Sequence, residues 1–238
     1  MLKVCPNEEE FNRFAAERFI EIGKAAIAER GRFTVALSGG STPKAIYRML
    51  ASETFRDKIE WKSVFFFFGD ERNVAPDSEE SNFKMANETL FEPLNIDKDK
   101  IYRWHTEIQT PEKIAEDYND GIEYYFRSFP KFDLVLLGMG ADGHTASLFP
   151  FSEALKETKK IAVANKIEKL ETTRLTLTFP VINNARNVVF LVKGGNKAET
   201  LHAVLRGDFQ PEKFPSQNVK PESGELFWLI DEAAARFL

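Results

Sequence analysis

The chain has 238 residues, 43% hydrophobic and 29% charged, the make-up of an ordinary folded protein with a sizeable core in one large domain or two small ones. A net charge of −5 argues against a nucleic-acid binder, which needs a basic face. Cys5 is the only cysteine, excluding an internal disulfide and a thiol-based metal or redox cluster; no apolar run approaches the ~20 residues that span a bilayer.

The start, "MLKVCPNEEEF", lacks the apolar core of a signal peptide, so a cytoplasmic location is expected. From Asn7 to Arg30 the spacing predicts a helix, with Phe11, Phe14, Ala15, Phe19, Ile22 and Ala26 on one side. Asn7 is its expected N-cap, with Glu10 three residues on. "FTVALS" (33–38) reads as a strand, "GGSTP" as its exit, and "KAIYRML" as the next helix. "VFFFFG" (64–69) is apolar on consecutive residues, which predicts a strand covered on both faces in the middle of a parallel sheet. A helix around 78–91, a short strand near "KIYRW" and a helix around 111–127 follow.

"FDLVLLG" (132–138) is a second fully buried strand, and "IAVAN" (161–165), "RLTLTF" (174–179) and "NVVFLVK" (187–193) predict three more. The helix "KAETLHAVL" (197–205), the strand "LFWLID" (226–231) and a last helical turn at "EAAARF" complete the pattern. Alternation of strands and helices with no dividing linker predicts one domain over 1–238: an α/β, Rossmann-like fold with a mostly parallel central sheet and helices on both faces. The irregular 206–225 segment is either a lid or a packed arm.

Open α/β sheets bind ligands where strands finish. After the first strand come Ser38, Gly39, Gly40, Ser41 and Thr42, with Thr42 as N-cap and Pro43 at the first helical position. Free N–H groups and nearby hydroxyls there suit an anion such as phosphate, although no Walker pattern follows. The plainer reading is a tight turn with a routine cap. The next strand delivers Asp70, Glu71 and Arg72, either an exposed charged turn or a proton-handling carboxylate beside a guanidinium that holds developing negative charge.

Gly138, Gly140 and Gly143 spell the G-x-G-x-x-G dinucleotide fingerprint. The fingerprint belongs in the first βαβ unit with an acidic residue ending the next strand, whereas "IAVAN" ends at Asn165. Asp142, Gly143 and His144 also occupy the turn where a pyrophosphate would lie. His144 is then a candidate general base, imidazole having an unperturbed pKa of ~6.5; alternatively it caps a following helix with Thr145 or Ser147 as N-cap. His105 and His202 read as bystanders, and three scattered histidines predict no catalytic metal. Lys197 opposes the dipole of the helix it opens, which suggests a ligand phosphate; Lys193 is a weaker candidate, and Arg174 is a salt-bridged surface residue or a substrate contact.

"LSGGSTP", "GDERNVAPDSEESNF", "FDLVLLGMGADGHTASLFP", "RLTLTF" and "WLIDEAAA", in this order, resemble the 6-phosphogluconolactonase family over nearly the whole chain. The related glucosamine-6-phosphate deaminases share the "GSTP" and "G-x-G-x-D-G-H" loops but carry Asp-Glu-Tyr in the second loop and Asn-Glu-Pro after the histidine. Here those places read Asp70-Glu71-Arg72 and "HTASLFP". The resemblance implies hydrolysis of 6-phospho-D-glucono-1,5-lactone to 6-phosphogluconate without a cofactor, the alternatives being a deaminase or isomerase and a non-catalytic sugar-phosphate-binding module. His144 is the expected base, and Arg72 holds the oxyanion with N–H groups of the turn that includes Gly140 and Gly143. Asp70 is expected to orient Arg72 or His144. The 38–42 loop, Asp142, Arg174 and Lys197 complete the expected substrate site. No nucleic-acid or membrane partner is expected, and the assembly state is monomer or weak homo-oligomer.

Overall fold

The computed structural model describes residues 1–107 and 110–238. In chain order its strands and helices are β1 (Leu2–Cys5), α1 (Glu8–Arg30), β2 (Phe33–Leu37), α2 (Ser41–Leu50), β3 (Val64–Phe68), β4 (Asp70–Arg72) and α3 (Asn82–Ala86). They continue with α4 (Pro111–Phe126), β5 (Leu134–Leu137), β6 (Ala162–Ile167), β7 (Thr172–Leu177), α5 (Phe179–Asn184), β8 (Asn187–Val192), α6 (Ala198–Arg206) and β9 (Glu225–Asp231). Among the described residues no helix is long and apolar enough to cross a membrane.

Six parallel strands form the main sheet in the order β1-β9-β8-β5-β2-β3, and β4, β7 and β6 form a separate antiparallel sheet. The α/β expectation therefore holds with two local corrections. "IAVAN" and "RLTLTF" pair with each other antiparallel, from Ala162 opposite Leu177 to Ile167 opposite Thr172. β3 is covered on both faces yet lies at the sheet's edge, not its middle. Phe66 and Phe68 pack on Phe91 from one face, while Phe67 packs on Tyr102, Phe126 and Phe132 from the other. The open edge of β3 is met by 101–102, where Tyr102 N–H donates to the Phe66 carbonyl at 2.8 Å. The strand expected at "KIYRW" is thus a single bridge between Phe66 and Ile101.

Local chemistry explains the helix ends. Asn7 caps α1 as expected, accepting the Glu10 N–H at 2.9 Å, and Gly31 ends it in the left-handed region at φ 70°. The helix expected over 78–91 starts later, capped by Ser81, and widens into a π turn over Asn87–Phe91. "EAAARF" forms turns without a regular helix.

One buried carboxylate joins the amino ends of the central strands. Asp133 accepts the Thr34 N–H and hydroxyl at 2.8 and 2.9 Å and Arg30 Nε at 3.0 Å. Asp133→Ala strands these donors and is expected to cost about 3 kcal/mol. A thermal melt should then fall by roughly 6–12 °C for a chain of this size; an unchanged melting temperature would show that the network adds no net stability.

Candidate active site

Sheet order fixes where the site forms. β2 is followed by β3 on one side, whereas β5 is followed, after the small sheet, by β8 on the other. The loops after β2 and β5 therefore leave the sheet in opposite directions and open a crevice at the carboxyl edge. A cleft of about 400 Å³ lies there, lined by Ser38, Gly39 and Gly40 after β2, by Gly138, Met139, Gly140 and His144 after β5, and by Asp70, Arg72, Arg174 and Lys197.

The β2 exit is held from behind. Tyr47, buried on α2, accepts the Ser38 N–H at 3.1 Å and donates to the Ser38 carbonyl at 2.8 Å. Gly40, not Thr42, is the N-cap of α2; its φ of 102° favours glycine, and no side chain caps the helix. Ser41 and Thr42 form the first helical turn, and their N–H groups lie at its open end. The two residues adjoin the cleft but do not line it.

In the β5 loop the G-x-G-x-x-G spacing serves a side-chain pair. His144 Nδ1 lies 2.5 Å from Asp142 Oδ1, which also accepts the His144 N–H at 3.2 Å. An ionised carboxylate only accepts, so Nδ1 carries a proton, and in the neutral ring Nε2 is then the nitrogen with a free lone pair. Burial alone would raise the Asp142 carboxyl; its hydrogen bonds to and charge interaction with His144 outweigh that and hold it below the usual range. The imidazole stacks on Phe149 at 4.1 Å, which limits its rotation.

Two glycines make this geometry possible. Gly140 leaves room for the pair, and Gly143 turns at φ 82° with Phe214 against it. The 206–225 segment is a packed arm here: Ser216 donates its N–H and hydroxyl to the Gly143 carbonyl at 2.9 and 2.8 Å. No helix starts at Thr145 or Ser147. Thr145 instead donates to the Gly138 carbonyl at 2.9 Å, and Ser147 to Asp70.

β4 separates its three charged residues by alternation. Glu71 turns away from the cleft and accepts the N–H groups of Asn82 and Phe83, each at 2.8 Å, fixing the start of α3. Burial pushes its carboxyl up, and these backbone donors oppose the shift. Asp70 lies in the cleft wall, but its carboxylate bonds Ser147 and Asn82 rather than Arg72 or His144, contrary to the orienting role expected for it.

Arg72 and Arg174 are direct cross-strand partners on β4 and β7. Like charges so placed repel, and burial, followed by the Arg72 charge, pushes the Arg174 guanidinium below its usual value. Arg72 donates to the Glu80 carbonyl at 2.5 Å, and among the described residues neither arginine has a carboxylate within salt-bridge distance. Such a pair is suited to an anionic ligand group.

Lys197 precedes α6 and donates to the Met139 carbonyl at 2.5 Å, so β8 and β5 contribute to one wall. Burial pushes its ammonium down, opposed by the charges of Asp142 and Asp231. Lys193 is engaged elsewhere, with Glu8 at 2.7 Å. Of the residues expected to bind substrate, Asp142 and Gly143 support the histidine without lining the cleft. Sequence reasoning missed Ser147, Phe149 and Leu170 as lining residues; "HTASLFP" held the first two, but no spacing rule marked them.

Fold and cleft together define an α/β protein with a histidine–carboxylate pair and a cluster of cations at the carboxyl edge of a parallel sheet. Residues 6–228 match the family model described as glucosamine-6-phosphate isomerases/6-phosphogluconolactonase, and the chain belongs to this family. It is similar to the 6-phosphogluconolactonase of Synechocystis sp., 42% identical over 218 residues that cover 90% of this chain and 88% of that protein. The 6-phosphogluconolactonase of Chlamydia pneumoniae is 39% identical over 222 residues, 92% of this chain and 83% of that one. Among solved structures, 6-phosphogluconolactonase from Trypanosoma brucei superposes with a TM-score of 0.87 at 31% identity, covering 100% of this chain and 98% of that chain.

Proposed function

We propose that residues 1–238 act as one catalytic unit that hydrolyses 6-phospho-D-glucono-1,5-lactone to 6-phospho-D-gluconate, the second step of the oxidative pentose phosphate pathway. The observation that carries this reading is His144, held by Asp142, facing the same cleft as the 38–40 loop and Lys197.

The chemistry follows from the residues. Water bound at His144 Nε2 loses a proton to the imidazole as its oxygen forms a bond to C1 of the lactone. Asp142 stabilises the imidazolium that results. Negative charge develops on the carbonyl oxygen, and Arg72 with Arg174 offers the fixed positive charge that favours it. Collapse of the tetrahedral centre breaks the C1–O5 bond, the imidazolium returns its proton to O5, and the new carboxylic acid ionises in water. The 38–42 loop, the open end of α2 and Lys197 hold the 6-phosphate. Binding energy from that remote group is spent on positioning C1 against the water.

The proposal includes a cytoplasmic location and a monomer or weak homo-oligomer, since one chain supplies every residue named. Stopped hydrolysis of freshly generated lactone, corrected for its spontaneous opening, tests the activity. Turnover of the lactone with no ammonia from glucosamine 6-phosphate supports it; the reverse pattern makes the chain a deaminase. Lys197→Ala is expected to raise KM for the lactone by roughly 10- to 100-fold and to affect kcat less, a loss of charge-assisted bonding to the phosphate. Equal KM values would remove Lys197 from the phosphate site.

A further inference from the structure

Asn82 opens α3 and is 1% exposed. Its side-chain nitrogen donates to the Asp70 carbonyl at 2.9 Å and to Asp70 Oδ1 at 3.3 Å. Both partners only accept, so the amide nitrogen must face them and the amide oxygen must point the other way. That oxygen is buried and has no hydrogen-bond partner among the described residues. It abuts Gly39, where a Cβ would lie 1.8 Å from it.

An unpartnered buried acceptor is costly, and a fold retains one where the placement of the group matters. Gly39 shows what is placed: the β2 exit can approach α3 this closely only without a side chain. On the far side, Asp70 Oδ2 accepts the Ser147 hydroxyl at 2.7 Å. Ser147 follows His144 by three residues and is itself fixed, its N–H on Thr176 Oγ1 at 3.2 Å and its carbonyl on Asn165 at 2.9 Å. A continuous path, Gly39 to Asn82 to Asp70 to Ser147, buried from Asn82 on, therefore joins the loop after β2 to the loop that carries His144.

We infer that Asn82 is a positioning residue, seating the phosphate-binding loop against the histidine loop through Asp70. The inference rests on the lactonase reading for what the two loops hold, and it gives Asp70 the part of a hub between them. Phosphate and C1 occupy opposite ends of one substrate, so the separation of the loops sets whether both ends are engaged at once.

Asn82→Ala, Ser147→Ala, Gly39→Ala and the Gly39→Ala/Asn82→Ala double variant test this, with inorganic phosphate as calorimetric probe beside KM, kcat and thermal melts. Asn82→Ala is expected to weaken phosphate binding and raise KM about tenfold, with a smaller fall in kcat. Ser147→Ala acts on the histidine loop, so its loss falls on kcat. The added methyl of Gly39→Ala meets the Asn82 amide, and the double variant removes that clash, so its phosphate affinity should recover to that of Asn82→Ala alone. Phosphate affinity in Asn82→Ala within about twofold of wild type would overturn the inference, as would a double variant no better than Gly39→Ala. A lower melting temperature with unmoved phosphate affinity and KM makes Asn82 merely structural and overturns it too. Asn82→Ser gives the same comparison if the alanine variant does not fold. Wild-type turnover of the lactone tests the underlying reading separately.

Discussion

His144→Ala is expected to lower kcat for 6-phosphogluconolactone by ~10²–10⁴-fold, the usual worth of a positioned general base. The loss should fall on kcat, because the base acts as the water attacks while the phosphate contacts, which set much of the affinity, are untouched. His144 is half-buried and among the described residues its ring hydrogen-bonds only Asp142, so the fold should survive and the melting temperature should stay close to wild type. Initial rates over the spontaneous background provide the measurement. Wild-type turnover in this variant would contradict the mechanism while leaving family membership intact.

Gly140→Ala should be nearly as damaging although it removes no functional group. A Cβ there would lie 2.2 Å from His144 Nδ1 and 2.6 Å from Asp142 Oδ1, so the pair cannot keep its geometry. Displacing a reacting group by about an ångström costs on the order of 10²-fold in rate. Gly121→Ala on α4 is the control, since nothing lies within 4 Å of the added atom. If kcat falls in Gly140→Ala and holds in Gly121→Ala, the glycine after Met139 is kept for the histidine. Equal activity would mean that the 2.5 Å contact is dispensable.

What could be read from the sequence was what lies close together along the chain. Asp142 and His144 are two residues apart, and the flanking glycines marked the turn that carries them, but Asp142 was expected at the substrate and Asp70 as the orienting carboxylate, so the pair itself came only with the structure. The Asn7 cap was legible, as were the buried strands, whose apolar runs report burial directly. Burial does not report neighbours, so β3 was expected in the middle of the sheet when aromatic side chains and residues 101–102 were covering an edge.

Long-range pairing was less legible. β6 and β7 look like any other strands, and only their pairing with each other and with Asp70–Arg72 makes a second sheet. That sheet brings Arg174 beside Arg72, which the sequence suggested only as separate candidates. β1, four residues at the amino end, was missed because its signal is its pairing with β9. The N-cap of α2 was assigned to Thr42 by residue preference, whereas the φ of 102° at Gly40 starts the helix two residues earlier. Asp70 was noticed for its charge, yet its partners Asn82 and Ser147 depend on contacts that no local pattern encodes.

A crystal structure with 6-phosphogluconate bound is the most direct test that one substrate spans the two loops. The product's phosphate should lie on the 38–42 loop with Lys197, and its C1 carboxylate should come within roughly 3 Å of His144 Nε2. A carboxylate far from the imidazole, or a phosphate seated on Arg72 and Arg174 with the 38–42 loop empty, would contradict the account.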